Sequence, residues 1–256
     1  MTTGRRITKE LKGHSGSQVL LVEDVDGIFV RKIGNVERNA ERLEVLHQNG
    51  YRVPEIYYYD GQILDMEYIH GLDMKTYLVN NGIKKLNDYI VDTLDSFAEN
   101  SIDKDYTEVY NDKLSWITGK ELFPFTKEQL IEKLPKVLPQ SMYHGDMTLE
   151  NIMSCDDGFC MIDGVLLDYD SYIFDIAKMR QDMECKWFIR NDVVKIDVKL
   201  KNLQENILNH FPEAKNDALL ILMLLRVHLH TKDGDSNRIF IEREINRLWK
   251  NINSWC

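Results

Sequence analysis

Residues 143–153 read YHGDMTLENIM, and residues 161–164, a few positions later, read MIDG. The strand-forming residues between the two motifs are interrupted at 156–158 by DDG, a sequence typical of a tight turn, which predicts a β-hairpin. Asn151 would open the first strand of this hairpin, and Asp163 would close the second. Since the two outer ends of a hairpin lie side by side, the sequence predicts that Asn151 and Asp163 face a common point.

The side chains of this stretch suit phosphoryl transfer. Asp146 lies on the loop before the hairpin, where its carboxylate can accept the proton of an attacking hydroxyl. The amide oxygen of Asn151, five residues later, and the carboxylate of Asp163 can bind Mg²⁺ that bridges nucleotide phosphates. The competing interpretation is an ordinary loop in which His144 and Asp146 only bond backbone groups.

This constellation resembles the aminoglycoside phosphotransferase and choline kinase branch of the protein-kinase-like superfamily. His144-Gly145-Asp146 with Asn151 is similar to the catalytic loop of that branch, and Asp163 is similar to its metal-binding aspartate. Asp175, in the sequence DIA, is similar to a structural aspartate of those enzymes, which implies a supporting role. The match is specific between residues 143 and 177, and the rest of the chain resembles the branch loosely.

The resemblance implies an α+β, bilobal protein-kinase-like fold with a small antiparallel-sheet N-lobe and a larger, mainly helical C-lobe. The N-terminal nucleotide-binding lobe would span residues 1–66, a hinge residues 67–72, and the C-lobe, with the catalytic loop and the acceptor site, residues 73–256. The sequence pattern agrees, because a helix capped by Asn35 is predicted at 36–48 and helical periodicity dominates from Met74. Predicted strands lie at 7–11, 19–22, 28–33, 56–59 and 63–68, and the second and third are predicted to pair as a hairpin through the turn-forming residues 23–27. Residues 217–231 are apolar nearly all round, which predicts a buried helix.

The resemblance also implies a nucleotide site in the N-terminal half. A Gly-rich turn that approaches the phosphates is assigned to Gly13, Ser15, Gly16 and Ser17. Lys32, on the third strand, would hold the α- and β-phosphates; Arg31 is the alternative, because strand alternation lets only one of them enter the cleft. At the hinge, the backbone carbonyl of Glu67 and the N–H of Ile69 would pair with a purine edge.

The helix after the third strand should supply a glutamate that positions this basic residue. Glu37, Glu41 and Glu44 all qualify by residue type, and Glu41 is the preferred candidate. Each of the three also fits the simpler interpretation of a solvated helical charge.

The function that the resemblance implies is transfer of the γ-phosphoryl group of ATP or GTP to a hydroxyl of a small molecule, a sugar or amino sugar, with Mg²⁺ as cofactor. Only eleven residues separate Asp163 from Asp175, which is short for a segment that docks a polypeptide substrate, so a protein kinase is disfavoured. The alternative function is a nucleotide-binding pseudokinase that acts as a regulatory or scaffolding module. The proton-accepting Asp146 speaks against that alternative.

Composition excludes several other classes of protein. The 256 residues include 32 Lys and Arg against 42 Asp and Glu, and the net charge of −10 disfavours a broad nucleic-acid or anionic-membrane surface. No apolar run approaches the roughly 20 residues that a membrane span requires. The sequence shows no signal peptide, and its four cysteines are interpreted as reduced thiols, so a cytoplasmic protein is expected.

Overall fold

The computed structural model describes residues 6–11, 17–119 and 121–254. Contacts divide the chain into two compact units. The first takes in the described residues up to Tyr77 together with His144–Leu167, and the second takes in Leu78–Tyr143 with the described residues from Asp168 onward. The segment with the predicted catalytic loop and metal ligands therefore belongs to the same unit as the N-terminal strands.

The described residues form antiparallel strands in the N-terminal region and mainly helices in the C-terminal region, as predicted. The strands are β1 (Arg6–Leu11), β2 (Gln18–Asp24), β3 (Gly27–Ile33), β4 (Ile56–Tyr59), β5 (Ile63–Glu67), β6 (Leu72–Asp73), β7 (Ile102–Asp105), β8 (Val137–Gln140), β9 (Ile152–Cys155) and β10 (Gly158–Met161). The α-helices are α1 (Glu37–Gln48), α2 (Met74–Asn80), α3 (Lys84–Ala98), α4 (Thr107–Lys113), α5 (Lys127–Lys133), α6 (Tyr172–Met183), α7 (Asp197–His210), α8 (Asp217–His228) and α9 (Ser236–Asn253). Short 3₁₀ helices lie at Leu149–Asn151, Trp187–Ile189 and Pro212–Lys215.

The first unit is built on a five-stranded antiparallel sheet with the strand order β1-β2-β3-β5-β4. β2 and β3 form the predicted hairpin, in which Asp24 pairs with Gly27 across the turn. Side chains alternate along these strands, so that Leu20, Val22 and Phe29 are buried together on one face. The predicted five-stranded sheet is therefore confirmed.

α1 packs against this sheet and begins one residue later than the sequence predicted. Val36 occupies the N-cap position and forms no side-chain capping bond, so the prediction that Asn35 caps the helix is wrong. Burial explains where α1 starts, because Val36 is fully buried and anchors the first turn of the helix by packing. The helix ends before Gly50, whose φ of +83° suits a residue without a side chain.

A second, three-stranded sheet with the order β10-β9-β6 completes the first unit. β9 and β10 are the predicted hairpin, paired from Cys155 with Gly158 at the turn to Ile152 with Met161 at the open end. Asn151 and Asp163 lie just outside the paired residues, at that open end. The hairpin thus delivers both residues to one end, as the spacing predicted.

The second unit is mainly helical, with the small β7–β8 sheet as its only strands in the described residues. α8 is apolar nearly all round and buried, as predicted, and every residue of α6 is buried. The buried Arg180 in α6 binds Glu184 and Asp217 at 2.8 and 2.6 Å. Among the helices of the described ranges, none is both long and apolar enough to cross a membrane.

Candidate active site

The loop before β9 holds the predicted catalytic carboxylate in a fixed orientation. The side-chain amide of Asn151 donates to the backbone carbonyl of Asp146 at 2.8 Å and to its Oδ2 at 3.1 Å. The backbone N–H of Thr148 also donates to the Asp146 carbonyl, at 2.9 Å. Because the amide nitrogen of Asn151 is committed to Asp146, the amide oxygen of Asn151 is the atom left for a cation.

Backbone contacts tie this loop to the segment around Asp163. Ile162 N–H donates to the Asn151 carbonyl at 2.9 Å, and Val165 N–H donates to the His144 carbonyl at 3.0 Å. Gly145 makes the approach possible, since its φ is +91° and a Cβ built on it would lie 2.0 Å from the Val165 carbonyl oxygen. Only glycine fits there, which gives a physical reason for the second residue of the HGD motif.

Asp163 has an unusual backbone conformation. Its φ of +62° lies in the left-handed region, which non-glycine residues rarely enter and which Asp tolerates better than most. Such conformations persist where the surroundings hold them, and they cluster at functional sites. The Asp163 side chain is 42% exposed, so its carboxylate is open to a ligand as well as to the protein.

Lys32 reaches Asp163 directly. Its Nζ lies 2.5 Å from Asp163 Oδ1, and its side chain is only 3% exposed. The neighbouring Arg31 points to the opposite face of β3, where its guanidinium donates two hydrogen bonds of 2.7 and 2.6 Å to Asp65. Hydrogen bonding to Asp65 raises the pKa of Arg31. Of the two alternatives left open by the sequence, the structure therefore brings Lys32 to Asp163 and engages Arg31 elsewhere.

The helix residue that contacts Lys32 is not a glutamate. Glu37, Glu41 and Glu44 are all exposed, so the prediction that Glu41 positions Lys32 is wrong. The buried Asn39 takes this place, and its Oδ1 accepts a hydrogen bond of 3.1 Å from Lys32 Nζ. The physical reason is the rotation of α1, which turns Asn39 towards β3 and leaves the glutamates in solvent.

Of the two predicted hinge residues, Glu67 ends β5 and Ile69 follows two residues later. Arg52 binds both carboxylate oxygens of Glu67, at 2.6 and 2.7 Å, and this hydrogen bonding lowers the pKa of Glu67. The backbone N–H of Glu67 donates to the Glu55 carbonyl at 2.8 Å, and Ile69 is buried. Arg52 also contacts Asp157 of the β9–β10 turn at 3.4 Å. This arginine thus links the predicted hinge segment to the hairpin between Asn151 and Asp163.

The predicted phosphate-binding turn is only partly covered. Gly13, Ser15 and Gly16 lie outside the described residues. Ser17 lies just before β2, where a Cβ at Gly34 would come within 3.1 Å of its hydroxyl oxygen. The role of this turn in phosphate binding stays a prediction.

The oxygen donors of the site suit a hard divalent cation. Asp163 contributes a carboxylate and Asn151 an amide oxygen, which are ligand types that Mg²⁺ prefers. Across the described residues, no three His, Cys, Asp or Glu side chains gather into a ready-made metal cluster. Mg²⁺ is usually held by one or two protein carboxylates, with substrate phosphates completing its coordination.

Three solved structures are similar to this chain over nearly its whole length. A thermostable mutant of aminoglycoside phosphotransferase APH(4)-Ia, in its apo form, matches with a TM-score of 0.68 and 8% identity, over 95% of this chain and 94% of that one. A variant of the same thermostable enzyme, in ternary complex with ADP and hygromycin B, matches with a TM-score of 0.64 and 10% identity over the same shares. Choline kinase LicA from Streptococcus pneumoniae matches with a TM-score of 0.59 and 15% identity, over 97% and 94% of the two chains.

These similarities establish the fold. The chain shares the fold of these aminoglycoside phosphotransferase and choline kinase structures, which is the fold that the resemblance predicted. No protein-family model and no curated protein sequence matches the chain. At these low identities the similarity shows the fold, while the chemistry depends on the residues of the site.

Proposed function

We propose that this protein is a Mg²⁺-dependent small-molecule kinase that transfers the γ-phosphoryl group of ATP or GTP to a hydroxyl of a sugar or amino sugar. The observation that carries the proposal is that two interacting pairs of residues lie on segments joined to each other by backbone hydrogen bonds. Asn151 binds the Asp146 carboxylate at 3.1 Å, Lys32 binds Asp163 at 2.5 Å, and backbone hydrogen bonds join the two segments. An acid, an amide, a second acid and a lysine are the residue types that protein kinases use for phosphoryl transfer.

Asp146 is the proposed catalytic base. The acceptor oxygen forms a bond to the γ-phosphorus while the bond from that phosphorus to the bridging oxygen breaks, and the nucleoside diphosphate leaves with the electron pair. The hydroxyl proton passes to Asp146, whose carboxylate Asn151 orients. Lys32 contributes positive charge to the phosphates, so that positioning and electrostatics supply most of the rate enhancement.

Asn151 and Asp163 are the residues that would hold Mg²⁺. When bound, this cation neutralises charge on the β- and γ-phosphates. The protein contributes the preset positions of the two ligands, because the open end of the β9–β10 hairpin fixes Asn151 beside Ile162 and hence near Asp163.

The solved structures support the substrate classes. A structural neighbour binds ADP together with hygromycin B, which favours a nucleotide and a small hydroxylated acceptor for this chain too. Another neighbour is a choline kinase, so amino alcohols belong among the acceptors to be tested. We place the reaction in the cytoplasm, a reducing compartment that suits the free thiols of Cys155, Cys160 and Cys185.

A nucleotide-binding pseudokinase is the second candidate function. The observation in its favour is the uncharged Asn39 at the helix position next to Lys32, where the resemblance implies a glutamate. The oriented Asp146 favours the enzyme, because a binding module has no use for a proton acceptor.

An acceptor panel distinguishes the two functions. Nucleotide consumption with Mg²⁺ should be measured over sugars, amino sugars, aminoglycosides and amino alcohols, with wild type beside Asp146→Asn. We expect turnover on at least one acceptor class, reduced by about 10³-fold or more in the variant, with nucleotide affinity within a few fold of wild type. Nucleotide binding without turnover on every acceptor would favour the pseudokinase.

A further inference from the structure

The side chain of Asn39 connects the three parts of the proposed phosphate and metal site. Its Oδ1 accepts from Lys32 Nζ at 3.1 Å, while its Nδ2 donates to the Gly164 carbonyl at 2.9 Å and to Asp163 Oδ1 at 3.3 Å. The residue is 9% exposed. One buried amide therefore uses both its acceptor and its donor group, on a cation, a carboxylate and a backbone carbonyl.

The contact with Gly164 bears on the strained backbone of Asp163. Asp163 has a φ of +62°, and Asn39 holds the carbonyl of the residue that follows it. Further along the same segment, Leu166 N–H donates to the Arg38 carbonyl at 2.9 Å. Two consecutive residues of α1 thus form hydrogen bonds with the chain just after Asp163, which keeps the carboxylate of Asp163 in one orientation.

Space around Gly164 shows how closely α1 lies against this segment. A Cβ at Gly164 would come within 3.3 Å of Leu46 and 3.4 Å of Arg42, both on α1. The absence of a side chain at Gly164 therefore permits the approach that brings Asn39 within hydrogen-bond distance.

Charge explains why an amide serves here better than a carboxylate. Lys32 already faces the negative charge of Asp163 at 2.5 Å. A second carboxylate at position 39 would repel Asp163, compete for Lys32 and have no donor for the Gly164 carbonyl, since an ionised carboxylate only accepts hydrogen bonds. With a neutral amide, the positive charge of Lys32 is opposed by one carboxylate only and is shared more readily with phosphates.

We infer that Asn39 is a positioning residue for nucleotide binding, which holds Lys32 and Asp163 in place for a magnesium-bound nucleoside triphosphate. This inference rests on the proposed kinase function. Asn39 acts through the two charged residues and makes no proposed contact with substrate.

The test is the effect of Mg²⁺ on nucleotide affinity in Asn39→Ala and Asn39→Asp. Affinity for the non-hydrolysable analogue AMP-PNP is measured by calorimetry with and without Mg²⁺, beside thermal unfolding of each protein. We expect Mg²⁺ to strengthen binding about tenfold less in Asn39→Ala than in wild type, because two hydrogen bonds that orient Asp163 and its neighbour are lost. In Asn39→Asp the strengthening of binding by Mg²⁺ should fall further. If the buried charge prevents Asn39→Asp from folding, Asn39→Ala supplies the result.

Glu41→Gln is the matched control, since it changes an exposed residue of the same helix and should leave both affinities unchanged. An Asn39 with a merely structural role would lower the melting temperature and leave the ratio of the two affinities as in wild type, which would overturn this inference alone. If wild type itself bound no magnesium nucleotide, the proposed function would fall, and the role of Asn39 with it.

Discussion

Gly145→Ala is predicted to damage the site by forcing two backbone segments apart. Gly145 has a φ of +91°, and the added Cβ would lie 2.0 Å from the Val165 carbonyl oxygen. Ordinary contacts of this kind begin near 3.4 Å, so the loop and the segment after Asp163 must separate by about 1.4 Å. Since backbone atoms form the contact, no side-chain rotation can relieve it.

Two costs follow from this geometry. The left-handed conformation alone costs an alanine about 1–2 kcal/mol, and the overlap adds a displacement between Asp146 and Asp163. A misplacement of about 1 Å in a reacting constellation costs about 10²-fold in rate. We therefore expect Gly145→Ala to lose about 3 kcal/mol of unfolding free energy or more, and kcat to fall about 100-fold on any acceptor that wild type phosphorylates.

Gly61→Ala provides the matched control. Gly61 has a φ of +95°, nearly that of Gly145, but nothing lies within 4 Å of its Cβ position. Gly61→Ala should lose only the cost of the left-handed conformation, about 1–2 kcal/mol of unfolding free energy, and keep wild-type activity. Denaturant unfolding and steady-state kinetics of both variants separate the two costs. Equal stability losses in the two variants, or normal kcat in Gly145→Ala, would refute the reasoning.

Two other predictions concern ion pairs. Because Arg52 lowers the pKa of Glu67 from its usual value of 4.5, the pair stabilises the fold above about pH 4.5 and loses this contribution as the pH falls through the lowered pKa. The unfolding free energy of Glu67→Gln, measured with denaturant, should therefore change less than that of wild type as the pH is lowered into the acid range. Near neutrality the two unfolding free energies should differ by about 0.5–1 kcal/mol. Parallel pH profiles of the two proteins would contradict this prediction. In the second unit, Arg180→Met leaves Glu184 and Asp217 without their buried partner and should reduce the unfolding free energy by about 3 kcal/mol. A loss below about 1 kcal/mol would show that the two ion pairs of Arg180 contribute little to the stability of the fold.

The strands and the spacing of the central motif could be predicted because local patterns determine them. The turn at Asp24–Gly27 and the alternation of apolar residues gave the β2–β3 hairpin, and the DDG turn gave the hairpin between Asn151 and Asp163. α6 and α7 were not predicted. α6 has five polar residues, and all of them are buried, so the polar positions of its sequence do not mark a solvent-facing side as they do in an amphipathic helix.

The helix partner of Lys32 was missed because charge was weighed above helical geometry. At about 100° per residue, Asn39 lies about 60° from the buried Val36 around the helix axis, whereas Glu41 lies about 140° away. Asn39 also precedes the buried Leu43 by one turn. This periodicity was present in the sequence and could have identified Asn39. The contacts of Asn39 with Gly164 and Asp163 join residues more than a hundred positions apart, and no local pattern predicts them.

The most direct test of the central claim follows the γ-phosphoryl group itself. ATP labelled in the γ-phosphate is incubated with wild type, Mg²⁺ and the acceptor panel, and the products are identified by mass spectrometry. We expect label on a hydroxyl of the acceptor, in equal amount to the ADP formed, and almost none with Asp146→Asn. Label that stays in ATP, or appears only as inorganic phosphate with every acceptor, would contradict it.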